Sequence, residues 1–266
     1  MRTIGRGRCA EIVTYEPNKV LKLFYPNFPE DGIQEEYGIS QLAYSMGIPT
    51  PKSYEVIDYD NRRGIVYDQI AGNTLLHMMK QKPWFIHKYS RVLAKVHYQI
   101  HSHHLSDAIR IQKKVLCDNI RAAPYLTEEE KQRIIAYADQ LPVGDRLCHA
   151  DFHPDNVMTS DDNYIIDWMT GMSGHPAGDV ARTLILLEFG SIPEGTPRLA
   201  SMVIQFLRTR MKTEYLKQYI QISGLTIAEI DQWILPVAAA RLVEWVPEEE
   251  KEPLLKLIRK RLQFIF

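Results

Sequence analysis

The residues best suited to chemistry fall in one run, Leu147-Cys148-His149-Ala150-Asp151-Phe152-His153-Pro154-Asp155-Asn156-Val157, followed by Ile165-Ile166-Asp167. Three roles of phosphoryl transfer are filled at once: Asp151 to take the proton of an acceptor hydroxyl, Asn156 and Asp167 to give hard oxygen ligands to a Mg²⁺ bridging nucleotide phosphates. Pro154 disfavours helix continuation, so a tight loop is expected to keep Asp151 and Asn156 on the same side. The run also reads His149-x-Asp151-x-His153, which His97, His101, His103 or His104 would complete as the shell of a metallohydrolase. Against that, His97 and His101 lack the glutamate of an HExxH motif, and residues 101–104 read equally as a solvated helix end.

A second set lies near the amino terminus. Gly5-Arg6-Gly7-Arg8-Cys9-Ala10 almost reads GxGxxG, but β-branched and aromatic residues follow it where a dinucleotide fold needs a helix. It therefore reads as a strand-turn-strand flap whose backbone N–H groups approach phosphates, or as a plain Gly-rich turn. Lys22 alternates with Leu21 and Leu23 in the next strand. It is either solvent-facing or placed under the flap to hold α- and β-phosphates, oriented by a glutamate of the following helix. Glu36 shares a helical face with Ile39, Ser40 and Ala43, while Glu35 points about 100° away. Glu36 is the expected partner and Glu35 the alternative.

The elements that must position these groups follow from periodicity. Period-two runs at 11–15, 19–24, 54–59 and 64–68 predict a small antiparallel sheet, interrupted by one helix over Gln34 to Met46. From Thr74 onward helical spacing dominates, with helices over Tyr89 to His101, Leu199 to Met211, Thr213 to Ile222 and Ile227 to Val246. Asp161-Asp162-Asn163 closes a hairpin that carries Asn156 at one end and Asp167 at the other. Gly72 marks the boundary between a sheet lobe, residues 1–72, and a helical lobe, residues 73–266.

The ordered set Gly5 and Gly7, Lys22, Glu36, His149-x-Asp151-x4-Asn156 and Asp167 resembles the aminoglycoside phosphotransferase/choline kinase family, the small-molecule branch of the protein-kinase-like fold. Four further pieces are similar to that family: residues 47–51, 71–75, 93–97 and 174–179. The resemblance implies a two-lobed α+β fold, ATP or GTP with Mg²⁺, and adenine lying along the backbone near Asp68, Gln69 and Ile70. It also implies that His149 and Asp179 support the catalytic loop without reacting. Ala10 departs from the pattern by replacing the third glycine, and the hairpin between Asn156 and Asp167 runs about two residues short.

After Asp167 comes Trp168-Met169 instead of Phe-Gly, and the short interval to Asp179 holds no Ala-Pro-Glu. A long activation segment has no room, so Ser/Thr protein kinase activity ranks below small-molecule kinase activity. A nucleotide-binding pseudokinase would be expected to have lost Lys22, Asp151, Asn156 or Asp167, and all four are present. The acceptor is read from an acidic stretch. Glu244 and Glu248 flank Trp245 and, together with Glu188, would draw a cationic acceptor such as an aminoglycoside or amino-alcohol, unless they are a solvated helix end. Sugar-like neutral acceptors remain open.

Composition narrows the classes. Lys and Arg number 32 against 33 Asp and Glu in 266 residues, which gives no basic excess for nucleic acid. The three cysteines are far apart and odd in number, against a disulfide framework. With no signal-like or membrane-spanning run, a cytoplasmic protein is expected. The stretch Leu254 to Phe266 is amphipathic, and a helix docked on the helical lobe is favoured over one lying on a membrane.

Overall fold

The structure, a computed structural model, describes residues 1–105, 110–190, 196–244 and 247–264, the side chains of 248 and 249 excepted. It divides into two compact units, Met1–Met78 with Pro154–Gly171 and Met79–His153 with Met172–Phe266. Lys22, Glu36, Asn156 and Asp167 thus belong to the first unit, and Asp151 and Asp179 to the second.

In chain order the first strands are β1 (Thr3–Arg6), β2 (Ala10–Thr14) and β3 (Lys19–Phe24), then helix α1 (Glu30–Ser45), then β4 (Ser53–Tyr59) and β5 (Arg62–Asp68). They form an antiparallel sheet in the order β1-β2-β3-β5-β4. Alternation sends Leu21 and Leu23 of β3 to a cluster with Val13 and Val66. Phe24, on the other face, joins Ala10, Ile33 of α1 and Ile65. Lys22 shares that second face, and so points toward α1.

α1 starts four residues ahead of the expected Gln34, behind Pro29, with Glu30 and Asp31 in its first turn where the helix dipole favours negative charge. It is followed by Gly47 at φ +80°, a conformation glycine adopts at little cost. β4 and β5 meet through Asp60 and Asn61, both at positive φ, as a tight hairpin requires.

Next come β6 (Asn73–Thr74), α2 (Leu75–Gln81), α3 (Ile86–His101), α4 (Gln112–Ala122), α5 (Glu128–Gln140) and β7 (Arg146–Cys148). The expected hairpin is β8 (Val157–Thr159) with β9 (Asn163–Ile165), and it pairs with β6. β10 (Met172–Gly174) pairs with β7, and α6 (Pro176–Phe189), α7 (Arg198–Ser223), α8 (Ile227–Arg241) and α9 (Glu248–Leu262) complete the chain.

Other helical boundaries differ from expectation as well, α3 beginning at Ile86 instead of Tyr89. The separate helices at 199–211 and 213–222 are one helix, α7, because Lys212-Thr213 contains no breaker and the buried stripe Met211, Tyr215, Tyr219 runs straight through it. α8 stops at Arg241 instead of reaching Val246, which lies outside the described residues. α9 buries Leu254, Ile258 and Leu262 against the protein, so the terminal stretch is a docked helix over its described length. Among the described residues no helix is long and apolar enough to cross a membrane. Cys9, Cys117 and Cys148 are free thiols.

Candidate active site

In the first unit, β3 and α1 bring Lys22 and Glu36 together: Lys22 Nζ donates to Glu36 Oε1 at 2.6 Å. It also donates to Asp167 Oδ1 at 2.7 Å, across 145 residues of sequence. The geometry therefore picks Glu36 over the exposed Glu35 as the lysine's helical partner. Tyr67 of β5 donates to the same Glu36 oxygen at 3.1 Å and meets the Ser40 hydroxyl. Burial disfavours the Lys22 charge, but the two carboxylates outweigh it and hold the ammonium protonated well above the ordinary lysine range.

Asp167 is fixed from behind. Trp168 is buried, and its Nε1 donates to Thr50 Oγ1, which donates in turn to the Ile165 carbonyl. Ile165 N–H donates to the Pro49 carbonyl, so the loop after α1 clamps the end of β9, two residues ahead of Asp167. A Cβ on Gly171 would come within 2.6 Å of Ile39, so only glycine lets the following turn lie against α1. Asp167 itself sits at φ +67°, an uncommon conformation for a non-glycine residue, with its side chain 42% exposed. Asn156 is buried, and the neighbouring Asp155 accepts from Thr74 Oγ1 at 2.7 Å. An amide oxygen and a carboxylate are donors that suit Mg²⁺.

The flap is a turn between β1 and β2: Gly7 N–H donates to the Ala10 carbonyl at 2.8 Å, and Tyr25 N–H to the Cys9 carbonyl. Ala10, standing where a third glycine would be, is part of the core under the sheet, so the departure serves packing. At the end of β5, Asp68 N–H and Gln69 N–H already donate to the Lys52 and Asn18 carbonyls. Tyr54 donates to the Asp68 carboxylate. Ile70 is the remaining residue of that expected hinge, half-buried in the chain that follows.

In the second unit the loop after β7 is built around Asp179 of α6. One carboxylate accepts four hydrogen bonds, from His149 N–H at 2.6 Å, Ala150 N–H at 2.8 Å, and His97 Nε2 and His101 Nε2 at 3.1 Å each. The far ring nitrogens of the two histidines face Tyr215 and Tyr219 hydroxyls, both at 2.6 Å. Burial would push the Asp179 carboxyl up, but the histidines and donors hold it well below the usual aspartate range. Burial lowers His97 to about 3, so its ring is neutral near neutrality. Ala150 stands at φ +59°, a strain of about 1–2 kcal/mol for a residue with a Cβ, held in place by the bond its N–H makes.

His97, His101 and Asp179 are the one group among the described residues whose atoms converge as metal ligands would. The larger shell with His149, Asp151 and His153 is not gathered. His103 bonds to backbone carbonyls of α3 and His104 to Asp145, so the histidine run divides into a buried part and a solvated one.

Asp151 follows Ala150, 32% exposed at the side chain, with Arg182 Nη2 at 3.6 Å and His153 Nε2 at 3.7 Å. Burial raises its carboxyl, but His153 and the Arg182 charge outweigh this and hold it well below the usual aspartate range. Asp179, Arg182 and Thr183 lie at i, i+3 and i+4 on α6, a single face turned to the 149–153 loop, and Thr183 Oγ1 donates to the Phe152 carbonyl. Arg182 is the residue that sequence reasoning missed, and that spacing after Asp179 was its signal.

The acidic stretch is differently employed. Glu244 binds Arg182 at 2.6 Å and Arg241 at 3.0 Å, and Glu188 binds Lys212 at 2.7 Å. Trp245 and the Glu248 side chain lie outside the described residues.

The model of the phosphotransferase enzyme family matches residues 12–214, about three quarters of the chain. The chain belongs to this family. No curated protein matches the sequence. Among solved structures, it is similar to a thermostable mutant of aminoglycoside phosphotransferase APH(4)-Ia in ternary complex with AMP-PNP and hygromycin B, at TM-score 0.65 and 12% identity, covering 99% of this chain and 92% of that one. It is also similar to ADP-bound aminoglycoside phosphotransferase APH(2'')-Ib, at 0.60 and 16%, covering 100% and 94%. A choline/ethanolamine kinase family protein from Mesorhizobium loti aligns at 0.54 and 14%, covering 96% and 84%. The α+β fold with its antiparallel sheet and helical remainder is thus the kinase-like fold of these phosphotransferases.

Proposed function

We propose that this member of the family transfers the terminal phosphoryl group of ATP, with GTP as the alternative donor, to a hydroxyl of a small molecule. The observation that supports it most is the convergence of Lys22, Glu36 and Asp167 in one unit, around a lysine that must stay charged. Lys22, steadied by Glu36, holds the nucleotide phosphates beneath the Gly5–Gly7 flap, and the adenine lies along Asp68 to Ile70. Asn156 and Asp167 would hold Mg²⁺, which supplies neutralisation of phosphate charge when bound. Asp151 is ionised throughout the neutral range, orients the acceptor hydroxyl and takes its proton. His149 and Asp179 keep that carboxylate in place by fixing the loop backbone.

The acceptor class we favour is an amino-alcohol or aminoglycoside, with Trp245 and Glu248 as its cation-binding candidates. Glu188 and Glu244 enter that role only in competition with Lys212, Arg182 and Arg241. The test is nucleotide consumption with Mg²⁺ against a panel of aminoglycosides, amino-alcohols and sugars, with mass spectrometry of the phosphorylated product. A phosphate ester of one panel member establishes the reading. Clear nucleotide binding without turnover of any acceptor, or of water, would move the protein to the pseudokinases.

A further inference from the structure

Five charged side chains alternate in sign from the catalytic loop to the last helix: Asp151, Arg182, Glu244, Arg241 and Glu250. Arg182 and Glu244 face each other as a two-pronged pair, Nη1 to Oε1 at 2.6 Å and Nη2 to Oε2 at 2.8 Å. The second prong, Nη2, is also the atom nearest Asp151, but at 3.6 Å. Behind Glu244, Arg241 donates to it at 3.0 Å and to Glu250 at 2.8 Å, and both of these outer residues are 3% exposed. Two parallel bonds fix a planar guanidinium more tightly than one point contact can. Buried partners leave Glu244 little freedom to move. One arginine is therefore contested by two carboxylates, and the anchored one holds it.

We propose that Glu244 is a positioning residue that holds Arg182 at the 3.6 Å of its present ion pair with Asp151 and restrains it from closing to hydrogen-bond distance. Arg182 at its restrained distance keeps the Asp151 carboxylate oriented; Arg182 at contact distance would cover the oxygen that must accept a proton. This rests on the reading of Asp151 as the base. Arg241 and Glu250 supply the anchor, and the α8–α9 end of the chain thereby sets the accessibility of a group on the catalytic loop.

The proposal predicts an order of effects that a merely structural role does not. With Mg-ATP and water as acceptor, Glu244→Gln lowers kcat roughly tenfold, within the range of coupling between neighbouring charges, and leaves KM for ATP nearly unchanged. Arg182→Gln costs less, about threefold, because it loosens the carboxylate without covering it. The double variant returns to the level of Arg182→Gln, since nothing remains for Glu244 to restrain. A crystal structure of Glu244→Gln shows Arg182 moved onto Asp151 at hydrogen-bond distance. If Glu244→Gln fails to fold, Glu244→Asp, which keeps the charge but shortens the reach, gives the same order alone and combined with Arg182→Gln.

A double variant as impaired as Glu244→Gln or worse would overturn the proposal, as would a single variant with wild-type kcat. Wild-type turnover that survives Asp151→Ala would instead remove the base reading on which the proposal stands, so the two failures are told apart.

Discussion

Around Lys22 two carboxylates share one ammonium, whereas around Asp179 four donors converge on one carboxylate. Both clusters are buried at their centres, and both outweigh the desolvation of their central charge. They differ in their rims. Asp167 is 42% exposed, so the Lys22 cluster ends in a group that can exchange its partner for a ligand. The donors to the buried Asp179 are two loop N–H groups and two histidines, each histidine held in turn by a tyrosine hydroxyl. A binding group needs the first arrangement, and a scaffold that holds Ala150 in a strained conformation needs the second.

The most disruptive way to break this contrast is Asp179→Ala. Removing the carboxylate orphans buried donors and releases Ala150, and a loss of about 3–5 kcal/mol of unfolding free energy is expected in denaturant titration. Retention of wild-type stability would mean the loop is held by other contacts. Lys22→Met leaves the buried Glu36 carboxylate without its cation, so it costs stability too, but less than Asp179→Ala because the Asp167 end of the pair is exposed. Its larger effect is on ligand: nucleotide affinity, followed by fluorescence titration, falls by about tenfold to a hundredfold as charge-assisted bonds are lost. An equal loss of stability in both variants would erase the distinction between binding group and scaffold.

Acidification sharpens the comparison further. Unfolded, His97 takes up a proton near its ordinary 6.5; folded, it does so only at about 3, because burial opposes the charge. Across that window the unfolded chain binds more protons, so stability falls as pH falls. Asp179, held below its ordinary 3.8, adds to the same trend at the acid end of the range. Melting curves from pH 7 to pH 4 should show this decline, and His97→Gln should flatten it while lowering stability at pH 7. A slope unchanged in that variant would place the proton uptake elsewhere. The smallest effect is expected from Glu35→Gln, within about 0.5 kcal/mol in stability, set against a clear loss for Glu36→Gln. Equal losses would undo the choice of Glu36.

The first cluster was legible in sequence and the second only partly. Lys22 between Leu21 and Leu23 and Glu36 on the face of Ile39 and Ala43 are marked by local periodicity, and Asp167 by its place at the end of the hairpin that starts at Asn156. The partners of His97 and His101 are tyrosines 118 residues away, and a buried histidine pair at helical spacing looks like a solvated one until α7 is laid against α3. Thr50 and Trp168 are joined across the same distance, with no local pattern to announce the bond. Glu244 shows the converse: an acidic cluster suggests a cation-binding surface, and the two arginines that occupy it lie on α6 and α8. Long-range polar pairing is what a single sequence hides, because each member reads as an ordinary surface residue.

The most direct measurement is the turnover of Mg-ATP by Asp151→Ala beside the wild type, with nucleotide affinity measured on both. The proposed chemistry predicts a fall in turnover of about 10² to 10⁴ with affinity changed by less than about threefold, since Asp151 acts on the acceptor and not on the nucleotide. Turnover that persists in the variant would contradict the assignment of Asp151 as the base.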